Sequence, residues 1–457
     1  MTRPDGPALV WFRDDLRVAD NPALLHAAQT GRPVVCLYVL DEESPSVRPL
    51  GGASRWWLHH SLAALAEQLD RLGVPLSIRS GPAARVVAEV LAETRAGAVF
   101  WNRRYGAAER TIDEHVKTSA RDAGLEAASF GASLLFEPWT VQTGSGTPFS
   151  VFTPFWRACL SAPPPRPPLE APEGLTAPAT RPPSLTVDEL GLLPVHPDWA
   201  GGLRETWSPG ETAAHAALRD FLRDDVARYK ADRDTPGIAA TSRLSPYLRW
   251  GELSPHQVWH ATVSARDRAN AEGGTTFLAE LGWREFAYHT LFTHPQMATE
   301  NIRTEFDAFP WPDLDRDALT AWQRGRTGIP LVDAGMRELW QTGTMHNRVR
   351  MVVASFLTKN LLIDWREGER WFWDTLVDAD PASNPFNWQW VAGSGADAAP
   401  YFRVFNPELQ RQKFDPHGDY VRRWVPEWET DAYPEPIVDL AETRRAALAA
   451  YDAVKRR

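Results

Sequence analysis

Four short apolar runs near the start of the chain, each followed by a helix-like stretch, constrain the fold more than any other feature. Residues 8–13 (ALVWFR), 34–40 (VVCLYVL), 75–79 (PLSIR) and 98–101 (AVFW) read as buried parallel strands. Helical patterns lie between them. One opens at Asp20-Asn21-Pro22, a polar cap followed by proline in the first turn. Another runs over 54–73 and is stopped by Gly73, and two more cover about 82–95 and 107–122. This alternation predicts a doubly wound parallel-sheet α/β domain. No GxGxxG follows the first run and no phosphate loop is present, which argues against a nicotinamide dehydrogenase or a P-loop enzyme.

From about Pro138 the pattern loosens, and SAPPPRPPLEAPEG and ATRPPS read as an extended, semi-rigid connector. From about Glu211 the chain turns helical, with patterns near 211–228, 254–271, 275–291, 315–324, 330–341, 345–361, 367–377 and 404–412, and an amphipathic helix in the tail. The expected division is an α/β domain over 1–135, a Pro-rich connector over 136–205 and an all-helical domain over 206–457. A chain of 457 residues can bury substantial cores in two or three such units. The only cysteines, Cys36 and Cys159, cannot build a disulfide framework or a four-thiolate cluster. With no visible signal peptide or spanning segment, a cytoplasmic location is expected. The net charge of −10 excludes a uniformly basic nucleic-acid binder but leaves room for a local positive groove.

Tryptophan is the compositional outlier, at 21 residues. The densest stretch is 378–407, DADPASNPFNWQWVAGSGADAAPYFRVFNP. It holds two acids flanking Ala379, a Pro-broken loop around Asn384, Trp388 and Trp390, a small-residue run over 392–399 and an aromatic–basic patch ending at Arg403. Large aromatics beside Gly, Ala and Ser suit a flat ligand with backbone packed close to it. In TSRLSPYLRWG (241–251), Thr241, Ser242 and Ser245 precede a helical run, an arrangement suited to a pyrophosphate or to simple capping. Glu280 and Trp283 share one helical face, as do Asn347, Arg350 and Met351, while Arg348 points elsewhere. Arg403, Gln410, Arg411 and Lys413, beside Phe402 and Phe405, read as a nucleic-acid-facing rim or a solvated charged face.

Together these stretches resemble the DNA photolyase/cryptochrome family, most closely the bacterial cyclobutane-pyrimidine-dimer photolyases of the plant-cryptochrome-like class III. The resemblance runs from about Trp11 to Trp424, leaving out 161–200. It implies a light-driven DNA repair lyase. Excited, reduced FAD passes an electron to a flipped dimer, the ring splits and the electron returns, without a metal. Tyr229, Thr241, Ser242, Arg243, Leu244 and Ser245 match the segment holding the flavin diphosphate. Asn347, Arg350, Asp378, Ala379, Asp380 and Asn384 match further FAD contacts, with Arg350 paired to Asp378 and Asn384 facing the flavin N5. Glu280 and Trp283 match the lesion clamp, joined by Asn347 and Met351. Arg233, Arg348, Trp390, Arg403 and Gln410 match contacts to UV-damaged DNA. Trp388, Trp365 and Trp311 match the electron-carrying tryptophan chain, with Trp371, Trp373 and Trp390 offering a branch.

Two residues separate the alternatives. Enzymes for (6-4) photoproducts carry His where Asn347 stands, and plant cryptochromes, which are photoreceptors without repair activity, carry Asp where Asn384 stands. Asn has no acidic proton to give. Pro385 and Phe386 depart from the second Asn usual after this position. In the α/β domain, 48–62 (RPLGGASRWWLHHSL) is similar to relatives that bind methenyltetrahydrofolate as an antenna. Glu109 matches a folate-contacting Glu, although Ala108 replaces its usual preceding Asn, and an 8-hydroxy-deazaflavin is the alternative. A monomer with no membrane partner is expected.

Overall fold

The computed structural model describes residues 6–269, 272–398 and 403–455. Its first half is a five-stranded parallel sheet, with β1 (Ala8–Phe12), β2 (Val34–Leu40), β3 (Leu76–Ser80), β4 (Ala98–Asn102) and β5 (Glu126–Phe130) in the order β3-β2-β1-β4-β5. Helices α1 (Pro22–Gln29), α2 (Gly52–Arg71), α3 (Ala83–Glu93) and α4 (Ala107–Asp122) connect the strands. Ala8 is in register with Val34 on one side and Ala98 on the other, so the winding reverses at β1. Leu9, Trp11, Val35, Leu37, Val99 and Trp101 face α3 and α4. Val10, Phe12, Cys36 and Phe100 face the other way, onto α1 and α2.

The fifth strand is a correction to the sequence reading. EAASF has no continuous apolar run because β5 is a half-exposed edge strand.

The segment read as a connector also needs correction, for it contains a buried helix, α5 (Phe152–Ser161), with Phe152, Phe155 and Cys159 in the core. Its Pro-rich part is laid along the first half by backbone hydrogen bonds, Asp20 N to Leu169 O (2.9 Å), Val34 N to Thr176 O (2.8 Å) and Leu185 N to Ile78 O (2.9 Å).

The second half is helical. It comprises α6 (Gly201–Thr206), α7 (Glu211–Asp224), α8 (Tyr229–Asp232), α9 (Ser245–Arg249), α10 (Pro255–Ala269), α11 (Glu272–Thr293), α12 (Arg316–Gln323), α13 (Pro330–Thr342), α14 (Asn347–Ser355), α15 (Trp365–Thr375), α16 (Ser383–Ala392), α17 (Pro407–Phe414), α18 (Asp419–Trp424) and α19 (Leu440–Lys455). Two expected helices shift. The one over 345–361 is α-helical only to Ser355 and continues as a π-helical turn, Phe356–Asn360. The one expected over 404–412 starts at Pro407, because Asn406 caps it through Glu408 N and Leu409 N. One apolar cluster runs unbroken from the sheet into α7, α10 and α11, so the halves share a core. A second, around Trp322, Val353, Trp365 and Trp388, belongs to the helical half alone. No helix among the described residues is long and apolar enough to cross a membrane.

Candidate active site

The segment expected to be a Pro-broken loop at Asn384 is the first turn of α16. Asp380 makes that possible. Its Oδ1 accepts the amides of Ala382 (2.9 Å) and Ser383 (2.7 Å), while Oδ2 accepts the Tyr288 hydroxyl (2.7 Å). Pro385 is the third helical residue, where no intrahelical N–H bond is required. Two donors from around α9 hold the preceding carbonyls, Trp250 Nε1 on Val377 O (3.0 Å) and Arg249 Nε on Ala379 O (2.7 Å). Asp378 is buried and receives Arg350 Nη2 at 3.0 and 3.2 Å. Arg350 also grips Met345 O (2.7 Å), tying α14 to this segment.

Asn384 is buried and its orientation is forced. Nδ2 donates to the Glu369 backbone carbonyl (3.1 Å) and to Glu369 Oε1 (2.8 Å), and both are acceptors. Oδ1 therefore faces the other way, with no donor among the described residues. Glu369, only 1% exposed, is itself fixed by a bidentate pair with Arg48 at 2.7 and 2.9 Å. Arg48 lies just before α2 in the sheet half, with its guanidinium 4.1 Å from the Trp373 ring centre. Sequence reading passed over both residues. Glu369 falls on the Trp365–Phe372 face of α15, a buried-face signal; the distant partner Arg48 has no local signal.

The segment expected to hold a diphosphate carries polar groups that are free or only loosely engaged among the described residues, with Arg243 Nη2 reaching Thr206 O at 3.5 Å. Thr241 and Ser245 make no side-chain hydrogen bond among the described residues, and Ser245 and Arg243 are exposed. Arg243 has φ of +53° and lays its guanidinium 4.3 Å over Trp207. Ser242 Oγ accepts Leu244 N only at 3.4 Å, and Leu244 is core. Tyr229 is buried beneath Arg233, and burial pushes its hydroxyl up to about 12, so it stays neutral. Open hydroxyls and a guanidinium are the donors that a diphosphate needs. A fixed carbonyl acceptor at Asn384 suits a ring N–H. These residues fit FAD.

The adjoining face carries Glu280 and Trp283. Arg233 Nη1 donates to Glu280 Oε1, so the residue expected to meet a phosphate is engaged with the acid expected to meet the lesion. Glu280 Oε2 has no partner among the described residues. Trp283 is half-buried, stacked on Phe152 and touching Phe386 at 6.3 Å. Asn347 is exposed at the start of α14, where His346 caps the helix by accepting Arg348 N at Nδ1. Burial holds that imidazole down to about 4, so it is neutral at pH 7. Arg348 pairs with Asp234 (2.8 Å), lies 4.5 Å over Phe414 and approaches Met351 Sδ at 3.9 Å.

The expected rim is only partly assembled. Arg403 is exposed and Gln410 buries an unpaired Oε1. Arg411 instead turns inward, held by Glu408 (2.7 Å) over Trp428, because an i, i+3 carboxylate is nearer than any solvent-side partner. Phe402 and residues 399–401 of the stretch lie outside the described residues.

Trp388 is buried edge-on to Phe372 (5.0 Å) and Trp322 (6.2 Å), contacts for which the sequence carries no local signal. Gly368, one turn after Trp365, lies flat against it, and a Cβ there would come 2.1 Å from Trp388 Cη2. Trp365 is buried and donates Nε1 to Asn301 Oδ1 (3.0 Å). Trp311 is half-buried against Phe309 (4.3 Å), and Trp390 packs at the edge of the helical core. In the sheet half, the ends of β1 and β4 carry Arg13–Asp113, Arg104–Asp14 and Arg249–Asp14 ion pairs. Glu109 folds back over Gly106 at the start of α4.

Two family models match the chain, one described as DNA photolyase over 8–173 and one as the FAD binding domain of DNA photolyase over 277–430. The deoxyribodipyrimidine photo-lyase of Agrobacterium fabrum is 50% identical over the whole of both chains. Cryptochrome-1 of Arabidopsis thaliana is 39% identical over 92% of this chain and 63% of its own. A crystal structure of a bacterial class III photolyase from Agrobacterium tumefaciens superposes with a TM-score of 0.95 at 50% identity, covering 99% of this chain and 98% of that one. With its parallel sheet, its helical half and matches of this extent, the chain belongs to the DNA photolyase/cryptochrome family.

Proposed function

We propose that this protein is a light-driven lyase that splits cyclobutane pyrimidine dimers in UV-damaged DNA, with FAD held in the helical half. The observation that carries the reading is the first turn of α16. It presents the fixed Asn384 carbonyl, and two residues later Phe386 packs on Trp283 (6.3 Å) and Phe286 (5.6 Å). The flavin-side amide and the lesion-side indole are thus joined through one rigid turn. This also gives Phe386 a packing role.

FAD, when bound, reduced and excited by light, supplies the electron that opens the cyclobutane ring and receives it back. The chain's residues do the rest. Thr241, Ser242, Ser245 and Arg243 take the diphosphate, with Tyr229 and Leu244 beneath. Arg350 with Asp378, and Asp380 with Tyr288, set the frame. Asn384 presents an acceptor and no acidic proton. Glu280 offers Oε2 to the flipped bases, Trp283 an apolar face, and Asn347 and Met351 the opposite wall. Extrusion of a dimer is cheap because the lesion is already poorly stacked; photolyases are a standard example of such flipping enzymes. Arg233, Arg348, Trp390, Arg403 and Gln410 face the strand. Trp388, Trp365 and Trp311 carry electrons inward from the surface.

For the antenna we favour methenyltetrahydrofolate along the start of α2, because residues 48–62 are similar to relatives that bind it. Glu109 must leave Gly106 to contribute. The enzyme acts as a monomer in the cytoplasm. The deciding experiment is blue illumination of reduced, FAD-loaded protein with oligonucleotides bearing a thymine dimer or a (6-4) photoproduct. Loss of the dimer alone is expected; persistence of the dimer refutes the reading, and loss of the (6-4) product reassigns it.

A further inference from the structure

We infer that Phe152, on α5, is a positioning residue for lesion recognition: it is the back-plate that fixes the plane of Trp283. The inference rests on the repair reading above. The two rings are face to face, 3.7 Å between centroids and 11° between planes. Trp156, one turn further along α5, lies parallel to Phe152 as well, at 6.3 Å and 11°. Phe152 and Trp156 are an i, i+4 pair on one helical face, and they meet consecutive residues of α11. Trp156 rests on Gly282, where a Cβ would come 2.5 Å from its Cε3, and Phe152 rests on Trp283. Only a glycine lets α5 approach this closely, so the register of the two helices is set by the Gly282-Trp283 step.

The start of α5 is anchored on the far side of the site. Asp397, three residues after Ser394 in the turn that ends α16, donates its N–H to Ser150 O (3.0 Å), two residues before α5 begins. Trp283 is therefore enclosed by Phe152 on one face, with Phe286 edge-on at 6.1 Å and Phe386 tilted at 6.3 Å. Its remaining open surface is half-exposed and available to a flat partner. A stacked ring has two rotational freedoms to lose, and Phe152 removes them before the lesion arrives. This is preorganisation, which lowers the cost of binding without touching the ligand. The Asn384 amide is held separately, by Glu369, so photochemistry after binding is left alone.

The test compares wild type with Phe152→Leu and Phe152→Tyr, all FAD-loaded. Leu keeps the apolar volume but loses the flat face; Tyr keeps both. Expected for Phe152→Leu is about twofold to twelvefold weaker binding of a thymine-dimer oligonucleotide, the range that aromatic pairs contribute. Affinity for undamaged DNA, flavin content and repair rate at saturating substrate should be unchanged. Phe152→Tyr should restore wild-type lesion affinity. Equal lesion affinity in wild type and Phe152→Leu, or an equal loss for damaged and undamaged DNA, overturns the inference. If wild type itself repairs no dimer, it is the functional reading that has failed. Should Phe152→Leu fold poorly, Phe152→Met serves as the second variant: it too fills the space without a flat face, and it should show the same selective loss of lesion affinity, while unchanged affinity overturns the inference.

Discussion

Both halves of the molecule bury charged side chains, but to different ends. At the ends of β1 and β4, the carboxylates are answered by neighbours within hydrogen-bond reach. Asp113 takes Arg13 and Trp101 Nε1, Asp15 takes Arg13 N and Asn102, and Asp14 takes Arg249. Around Asn384 the acids are also paired, yet other groups have no partner among the described residues: Asn384 Oδ1, Glu280 Oε2, and the hydroxyls of Thr241 and Ser245. The first cluster is structural because its acids are satisfied. The second is a site because its acids hold unsatisfied groups in place.

The largest expected effect tests the first half of that contrast. Asp113→Ala leaves the buried Arg13 without its carboxylate and should cost about 3 kcal/mol in urea unfolding. Dimer repair per bound flavin should be unchanged; a loss of repair there would erase the contrast. Next, Arg350→Ala strips Asp378 of its partner. This pair is partly exposed, so a loss of about 2 kcal/mol is expected, but the flavin should be lost on gel filtration, unlike in Asp113→Ala.

A third test sits between the halves. Glu252 accepts Trp57 Nε1 (3.1 Å) and Gly210 N (2.6 Å), and burial pushes its carboxyl up to about 8. A raised pKa in the folded state means that the stabilisation is complete below about 4.5, the ordinary value, and is lost as pH climbs through about 8. The urea midpoint should fall across that window, and Glu252→Gln should flatten the fall. The smallest effect belongs to the rim. Arg348→Ala should leave stability within about 0.5 kcal/mol and lower the salt dependence of DNA binding by about one counterion, with equal effect on damaged and undamaged strands.

How far the sequence could anticipate this arrangement follows from where each signal lives. The three inner strands, β1, β2 and β4, were legible because burial on both faces leaves continuous apolar runs, and the edge strand β3 was legible by its buried first half. The edge strand EAASF was not, because half its surface is wet. The α16 start was misread as a loop because Pro385 is a breaker everywhere except in a first turn, and the Asp380 cap that makes it a first turn is a tertiary fact. Helix α5 was hidden inside a proline-rich stretch whose composition suggested only a spacer. The Arg350–Asp378 pair could be anticipated through family resemblance and a shared helical face. Glu369 could be placed on the buried face of WREGERWFWD by its spacing from Trp365 and Phe372, but not given a partner, because Arg48 lies 321 positions away.

That last pairing bears on how the protein is made. Arg48 leaves the ribosome early and Glu369 late, so the amide at Asn384 gains its fixed orientation only after synthesis has passed α15 and the start of α16. Flavin loading should then follow synthesis of α15 rather than precede it, and a nascent chain halted before α15 would emerge with a formed sheet and no flavin.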